Sequence, residues 1–280
     1  DCFFFFFYLK TNPKLLIPVT PTLDISLRGG IPEGCWTVIS GRPKCGKSSL
    51  ALQIASNAQK LGRHVYYLDV EHRFDIKNLT TVTSLITTPD LFTLVQSTKE
   101  KILSAQDFLN MACDIVANHP KCVIILDSIS SLCSENETSK EVGEMARPEG
   151  PKMLAQFCRK NAAIIPINKV TFIGIVHLIT NSSGYGPSML EDSGVKLQYQ
   201  ISCKLLCKST TVWEEGNGED KRRIGSIVEW SVVVAPSGPP GDVCKTYLRF
   251  SHGFDSVFEI VSLGIDFGLI SKKGSWFEYT

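Results

Sequence analysis

The sequence predicts an α/β fold in which a central, mostly parallel sheet carries helices on both faces, with antiparallel strands toward the C-terminal end. Apolar segments of strand length alternate with helical segments over the first two thirds of the 280 residues, and this order is typical of a parallel sheet. The last third contains further strand segments, two of them joined by the tight connection Ser237-Gly238-Pro239-Pro240-Gly241. Such short connections favour antiparallel pairing.

The composition is that of a globular protein, with 43% hydrophobic residues, 20% charged residues and a formal net charge of +1. The small net charge excludes a strongly basic protein, so any nucleic-acid-binding surface must be local. The ten cysteines show neither a CxxC pair nor a metal-ligand spacing. This pattern indicates reduced thiols in an intracellular protein, and not a disulfide framework.

We expect an N-terminal arm at residues 1–19 and a main domain at residues 20–280. The arm opens on Asp1-Cys2-Phe3-Phe4-Phe5-Phe6-Phe7-Tyr8-Leu9, far short of the ~20 apolar residues that span a bilayer. It also lacks the flanks of a signal peptide, and we expect no membrane association. Two interpretations stay open: a strand that packs on the protein's own core, or an apolar arm that packs on a neighbouring subunit.

A phosphate-binding loop is the most specific motif of the chain. The stretch Gly41-Arg42-Pro43-Lys44-Cys45-Gly46-Lys47-Ser48 has the P-loop spacing G-x-x-x-x-G-K-S, in which backbone N–H groups cradle phosphates. An apolar strand precedes it and a helical pattern follows, which makes a chance match in a flexible loop the weaker alternative. The nucleotide-binding residues expected here are Gly41, Arg42, Pro43, Lys44, Cys45, Gly46, Lys47, Ser48 and Ser49.

The remaining elements follow in order along the chain. Strands are predicted where apolar runs are short and rich in β-branched residues, and helices where apolar residues recur at helical spacing. Predicted strands cover residues 35–40, 64–70, 122–128, 172–179, 197–207, 227–235 and 244–250, and predicted helices cover 49–60, 105–117 and 152–161. Residues 258–270 are predicted as a final helical or turn segment. Residues 134–151 and 181–194 are predicted loops.

Polar side chains at the ends of the predicted strands define a candidate catalytic site. The carboxyl ends of parallel strands meet at one edge of the sheet, where ligands bind. Asp127 and the Ser48 hydroxyl are expected to hold Mg²⁺, and Lys47 to contact the β- and γ-phosphates. Glu71 could activate the attacking water, and His177 could sense the γ-phosphate. The alternatives are a helix-capping role for Asp127, a surface ion pair for Glu71 and a structural role for His177.

Several segments, in order, resemble the ATPase core of the RecA family. They are residues 22–34, the P-loop, Leu68-Asp69-Val70-Glu71-His72-Arg73-Phe74-Asp75 and Ile125-Leu126-Asp127-Ser128. The third is the most specific, being similar to the family's D-A-E-H-x-x-D segment. Further likeness in residues 141–160, 194–199 and 253–277 extends the resemblance to almost the whole main domain.

The resemblance implies a DNA-dependent ATPase that uses ATP and Mg²⁺ and is found in the bacterial cytoplasm, or in an infected host cell. It implies helical filaments on single-stranded DNA, and pairing of that strand with homologous double-stranded DNA. Glu71 would then be the water-activating base, with Asp75 and Phe250 beside the nucleotide. Loops 135–151 and 181–194 would bind DNA, with Arg147, Lys152, Arg159, Tyr185, Met189, Leu190 and Lys196 as candidate contacts. The alternative for these loops is a plain connection.

The chain departs from the family pattern in three places. The family carries lysines that reach the ATP of a neighbouring subunit, and the matching stretch Val232-Val233-Val234-Ala235-Pro236 has none. The family's Asn-Gln γ-phosphate sensor is replaced by His177-Leu178. The usual N-terminal helix and C-terminal domain are missing, which predicts a pared-down core of the kind a phage or other virus encodes, or a truncated chain.

Two other classes of function stay open. One is a related ATPase, such as a ring-forming helicase motor or a KaiC-like switch. Such relatives also contain a stretch like residues 22–34. The other is a weakly hydrolysing, ATP-gated DNA-binding protein, which the missing lysines favour.

Overall fold

The computed structural model describes residues 14–75, 84–139, 149–181, 185–186, 188–192, 195–216, 218–274 and 276–279. The phenylalanine-rich start and Arg147 lie outside these ranges. The division into arm and main domain therefore stays a prediction, as does the DNA contact of Arg147. Among the described residues, no helix is both long enough and apolar enough to cross a membrane.

A ten-stranded sheet forms the centre of the fold. In chain order the strands are β1 (Leu16–Ile17), β2 (Ile31–Pro32), β3 (Trp36–Gly41), β4 (Val65–Asp69), β5 (Phe92–Gln96), β6 (Val123–Asp127), β7 (Thr171–Thr180), β8 (Met189–Glu191), β9 (Cys203–Glu215), β10 (Arg222–Val234), β11 (Val243–Arg249), β12 (Gly253–Phe254), β13 (Ile270–Lys273) and β14 (Trp276–Tyr279). The main sheet has the order β12-β11-β10-β9-β3-β7-β6-β4-β5, and β8 pairs with β7. Strands β1 with β2, and β13 with β14, form separate pairs.

The direction of the strands confirms the predicted fold class. From β5 across to β9 the neighbours in the main sheet are parallel, whereas β9 to β12 are antiparallel. The strands β3, β4 and β6 are buried along their whole length, as expected for parallel strands covered on both faces. Their carboxyl ends lie together, because Gly41 pairs with His177 and Asp69 pairs with Asp127.

Helices cover both faces of this sheet. They are α1 (Pro21–Leu27), α2 (Lys47–Lys60), α3 (Ala105–Asn118), α4 (Glu135–Thr138), α5 (Gly150–Asn161), α6 (Ile164–Ile167), α7 (Val195–Gln198) and α8 (Ser256–Asp266). Side chains alternate between the two faces of a strand, so Ile39 packs in the core with α1 and α2, while its neighbour Val38 packs with α3 and α5. The sheet therefore lies between two helical layers.

Local capping explains where α3 begins. The Ser104 hydroxyl accepts a hydrogen bond from the Asp107 N–H, and the Asp107 carboxylate accepts one from the Ser104 N–H. This reciprocal arrangement satisfies two N–H groups at the start of the helix. The backbone hydrogen bond from Ser104 and the ammonium of Lys101 lower the pKa of Asp107 to about 2.

Two local predictions were wrong. Residues 197–207 were predicted as one strand, but the segment contains the end of α7 and the start of β9 at Cys203. Leu197 is buried among the side chains of α3 and α5, so its apolar character reflects helix packing. The predicted loop 134–151 contains α4, which begins with a capping box between Ser134 and Glu137. Strands β1, β2, β5, β8, β12, β13 and β14 were not predicted.

Candidate active site

The phosphate-binding loop joins β3 to α2, and its two glycines determine its shape. Gly46 has a φ of 92°, in the left-handed region that favours glycine, and directly precedes Lys47, the first residue of α2. A Cβ on Gly41 would lie 2.7 Å from the Cys45 sulfur and 2.8 Å from the Cβ of Cys207. Both positions therefore require glycine, and the N-terminus of α2 faces the space inside the loop, as a phosphate site needs.

Lys47 is held against this loop. Its side chain is buried, and its Nζ donates hydrogen bonds to the carbonyl oxygens of Gly41 at 3.0 Å and Arg42 at 2.8 Å. An ammonium has three N–H donors, so one donor stays available beyond these two contacts. The loop thus fixes a positive charge where phosphate oxygens would bind.

A cavity of about 450 Å³ lies between the loop and the carboxyl ends of the strands. This volume is in the range of small-molecule sites, ~300–1,000 Å³. Every predicted nucleotide-binding residue from Pro43 to Ser49 lines it, and so do Glu71, Asp127 and His177. The structure therefore brings the P-loop, the predicted Mg²⁺ ligand Asp127 and the predicted catalytic residues Glu71 and His177 together around one space.

The predicted Mg²⁺ ligands lie close together, since the Ser48 side chain is near enough to the Asp127 carboxylate to lower its pKa. The Tyr67 hydroxyl donates a hydrogen bond to Oδ2 of Asp127 at 2.6 Å. Burial outweighs both hydroxyls and raises the pKa of Asp127, and a nearby cation would favour its ionised form. Among the described residues, no three acidic, histidine or cysteine side chains are arranged so that they alone could hold a metal ion. A hydroxyl and one carboxylate fit Mg²⁺, which keeps water and phosphate oxygens as its other ligands.

Glu71 lies two residues beyond β4, and four side chains surround its carboxylate. Oε1 accepts hydrogen bonds from the hydroxyls of Ser128 and Ser131, each at 2.7 Å, and lies 3.3 Å from Nε2 of His177. Oε2 pairs with Nη1 of Arg73 at 2.8 Å. Burial acts to raise the pKa of Glu71, but the serine hydrogen bonds and the positive neighbours outweigh it and lower the pKa. The result is an oriented carboxylate, ionised at neutral pH, that can accept a proton from water.

His177 reaches the cavity from β7, the strand beside the loop. Burial and the positive charge of Lys47 lower the pKa of His177, so its imidazole is neutral at neutral pH. Nε2 of this neutral ring faces Oε1 of Glu71 at 3.3 Å, and the side chain lines the cavity in which a triphosphate would bind. The contact with Glu71 favours the sensing role over a purely structural one.

A chain of contacts leads from this site to the second predicted DNA-binding loop. The turn Ile129–Ser131 follows β6, and its Ser130 hydroxyl accepts a hydrogen bond from the His177 N–H at 2.8 Å. The same hydroxyl donates to the carbonyl oxygen of Asp192 at 2.8 Å, and the Asp192 N–H donates to the His177 carbonyl at 3.0 Å. A displacement of His177 would therefore be felt at Asp192, the residue after β8.

Two residues predicted beside the nucleotide do not line this cavity. Asp75 is exposed, whereas the preceding Phe74 lines the cavity and packs against Tyr67 with ring centroids 4.7 Å apart. Phe250 follows the end of β11 and lies 5.2 Å from the guanidinium of Arg223, whereas Leu248 lines the cavity. Nucleotide contacts by Asp75 and Phe250 stay predictions.

The candidate DNA contacts on α5 lie at opposite ends of that helix. Lys152 is exposed in the first turn, next to the undescribed residues 140–148, and Arg159 is exposed in the last turn. Seven residues of helix separate them by about 10 Å. Since α5 runs from the carboxyl edge of the sheet toward the start of β7, Lys152 lies on the side of the cavity and Arg159 on the far side.

The described part of the second loop contains β8, which pairs with the last residues of β7. In the pairing of β7 with β8, Leu190 lies opposite Ile179 and Met189 lies opposite Thr180. Tyr185 is 88% exposed, and Leu190 is also exposed. Lys196 lies in α7, which follows this loop, and its Nζ is 5.7 Å from the centroid of the Tyr199 ring. An exposed aromatic and apolar edge of this kind is suited to stacking on bases, and the contacts themselves stay predictions.

Sequence reasoning missed the side chains that hold the catalytic groups. Ser128 and Ser131 bind Glu71, and Tyr67 binds Asp127. Ser128 directly follows Asp127, and Tyr67 lies two residues before the end of β4. Their position near the ends of predicted strands was the one feature of the sequence that could have placed them at the site. Arg73 was quoted only within a motif, although it lines the cavity.

Cys45 gives the loop a reactive group. The neighbouring Cys207 thiol, aided by the charge of Lys47 and opposed by burial, lowers the pKa of Cys45, and the pKa of Cys207 is raised. We expect alkylation of Cys45 by iodoacetamide to reach half its maximal rate at a lower pH than for an ordinary thiol, because the thiolate is the nucleophile. Bound Mg·ATP should slow it, because Cys45 lines the cavity. Mass spectrometry of the labelled protein measures both effects.

Exposed Cys133 is the internal control, because burial raises the pKa of its thiol above the ordinary value of 9.0. A Cys45 labelling rate that follows the same pH curve as that of Cys133 would contradict the prediction.

The fold and this cavity define a P-loop nucleotide-binding protein. The chain matches the family model described as the RecA N-terminal domain over residues 17–254. It is 28% identical over 264 residues to Protein RecA of Lactococcus lactis subsp. cremoris (strain MG1363), covering 92% of this chain and 65% of that protein. It is 27% identical over 278 residues to Protein RecA of Thermotoga neapolitana, covering 97% of this chain and 75% of that protein. The chain thus belongs to the RecA family, and it spans about two thirds of the length of the Lactococcus relative.

Proposed function

We propose that this protein is an ATP-dependent DNA recombinase that forms filaments on single-stranded DNA and promotes pairing and strand exchange with homologous double-stranded DNA. Family membership supports ATP and DNA as its ligands. The observation that carries the proposal is a path of contacts: Oε1 of Glu71 lies 3.3 Å from Nε2 of His177, and the His177 N–H is hydrogen-bonded through the Ser130 hydroxyl to Asp192. It joins the triphosphate end of the cavity to a loop expected to bind DNA, as an ATP-gated DNA-binding protein requires.

In the hydrolysis step, water bound to Glu71 attacks the γ-phosphorus. The carboxylate of Glu71 takes the proton of that water, the bond from the γ-phosphorus to the β–γ bridging oxygen breaks, and ADP and inorganic phosphate leave. Lys47 holds the β- and γ-phosphates, and Ser48 and Asp127 hold Mg²⁺. The ion, when bound, neutralises the charge that develops on the phosphate oxygens.

A weakly hydrolysing, ATP-gated DNA-binding protein is the second candidate. One specific observation favours it: residues 232–236, where the family has interface lysines, contain none. This candidate shares the proposed binding sites for ATP and DNA and differs in turnover. The rate of ATP hydrolysis, and not the affinity for either ligand, therefore distinguishes it from the recombinase.

Imaging with single-stranded DNA and a slowly hydrolysed ATP analogue tests the proposal. We expect helical filaments by electron microscopy, ATPase activity stimulated by single-stranded DNA, and DNA affinity that falls steeply with salt because phosphate contacts release counterions. Closed rings would support the helicase-motor class instead. Absence of DNA binding in the presence of ATP and Mg²⁺ would refute the proposal, and filaments without turnover would select the second candidate.

A further inference from the structure

Arg73 is a cation at the cavity that the mechanism above does not use. It lies four residues beyond the end of β4, lines the cavity and pairs with Oε2 of Glu71 at 2.8 Å. Its side chain is 78% exposed, so packing does not fix the guanidinium in this position. A long, exposed side chain with one ion pair can exchange that partner for another at small cost, since exposed ion pairs contribute little.

The occupancy of the Glu71 carboxylate decides where an attacking water can bind. Oε1 already accepts two serine hydrogen bonds and lies 3.3 Å from Nε2 of His177. A carboxylate oxygen offers about two lone pairs, so Oε1 has no further capacity. The water must bind Oε2, the atom that Arg73 pairs with. Arg73 therefore stands beside both the nucleophile and the γ-phosphate that the nucleophile attacks.

Negative charge is concentrated at this end of the cavity, and a cation there would be favourable. Asp69, Glu71 and Asp127 all line it, and a triphosphate adds further negative charge. Lys47 and Lys44 supply positive charge from the side of the loop, and the lowered pKa of His177 leaves that ring neutral. The positive charge of Arg73 acts on both Glu71 and His177, because it lowers the pKa of each.

No lysine comes to this site from residues 232–236, which are Val232-Val233-Val234-Ala235-Pro236. The side chain of Val232 is fully buried in the core. If the γ-phosphate is to be neutralised on the side of the nucleophile, Arg73 is placed to do it, because it contacts Glu71 directly. A guanidinium suits this task because its planar fork matches two phosphate oxygens at once.

We infer that Arg73 is a catalytic residue of this site: it pairs with Glu71 before the triphosphate binds and contacts the γ-phosphate of ATP, within its own subunit, once ATP is bound. This inference rests on the proposed ATPase function. Pairing with Arg73 keeps the Glu71 carboxylate ionised and oriented in the absence of nucleotide. Moving the guanidinium to the γ-phosphate frees a lone pair of Oε2 for water and stabilises the charge of the transition state.

The test compares Arg73→Gln and Arg73→Lys with a control, Arg222→Gln, which changes an exposed arginine of β10. Binding of ADP and of a non-hydrolysable ATP analogue is measured by calorimetry, and turnover is measured with Mg·ATP. We expect Arg73→Gln to bind ADP like the wild type, to bind the ATP analogue about tenfold more weakly, as for loss of one charge-assisted hydrogen bond, and to hydrolyse ATP about 10²–10³-fold more slowly, as for loss of one donor to the transition-state charge. Arg73→Lys should recover part of both effects.

Chemical rescue adds a readout that a structural role would not change. Free guanidinium ion should restore part of the turnover of Arg73→Gln and leave Arg222→Gln unaffected. Unchanged discrimination between ADP and the ATP analogue in Arg73→Gln would overturn the inference, as would turnover equal to or faster than wild type. If the wild type binds ATP without hydrolysing it, the proposed hydrolysis fails, and the discrimination between the two nucleotides still decides the role of Arg73.

Discussion

Replacing Glu71 with glutamine should lower ATP turnover by about 10²–10⁴-fold, the range for removal of a general base. Glutamine has nearly the same shape, and its amide oxygen can still accept the hydroxyls of Ser128 and Ser131, which hold Oε1 at 2.7 Å each. It cannot accept the proton of water. Affinity for ATP should therefore change little, and the loss should appear in kcat and not in KM. Steady-state hydrolysis and equilibrium binding of the ATP analogue measure the two quantities.

The pH dependence gives this prediction a second test. Because the pKa of Glu71 is lowered from its ordinary value of 4.5, the carboxylate is ionised throughout the neutral range, and lowering the pH from 8 to 6 should not reduce turnover through Glu71. Glu214→Gln is the matched control: Glu214 is exposed on β9 and pairs with Lys221 at 2.6 Å. If Glu71→Gln and Glu214→Gln hydrolyse ATP equally fast, Glu71 is not the base.

Much of this site follows from the sequence, because its groups lie at the ends of apolar strands. Asp127 ends β6, Gly41 ends β3, and His177 is paired with Gly41 in register. Each strand is recognisable by an apolar run, and parallel pairing brings the ends to one edge. Local spacing was therefore enough to predict that the P-loop, Asp127, Glu71 and His177 meet.

The groups that orient these residues were not predictable in the same way. Ser131 reaches Glu71 only because the turn after β6 folds back toward β4, a separation of 60 residues along the chain. Tyr67 points to Asp127 across two neighbouring strands, again 60 residues apart. A serine or a tyrosine has no periodic pattern that indicates its partner, so such contacts depend on register and side-chain direction. The same limit explains Leu197, whose apolar side chain fits a strand or a packed helix equally well in sequence.

Replacing Lys47 with methionine should abolish most nucleotide binding. Methionine preserves the apolar part of this buried side chain, but it removes the ammonium that donates to the carbonyls of Gly41 at 3.0 Å and Arg42 at 2.8 Å. It also removes the charge that would contact the phosphates. Hydrogen bonds to charged groups contribute about 1.5–3 kcal/mol each, so loss of the phosphate contact alone should weaken ATP binding by roughly 10–150-fold. Calorimetric titration with the ATP analogue measures the change.

Lys44→Met provides the matched control within the same loop. Lys44 is exposed, whereas Lys47 is buried and bonded to the loop carbonyls. The two substitutions therefore remove the same charge from a solvated and from a buried position. We expect Lys44→Met to reduce ATP affinity far less, because a solvated charge is screened and its loss leaves no buried carbonyl without a donor. The free energy of unfolding separates binding from folding: Lys47→Met should be the less stable of the two without nucleotide, since it leaves two loop carbonyls unpaired. Equal ATP affinities for the two variants would mean that the cavity does not bind its phosphates through Lys47, and the assignment of the loop would then be wrong.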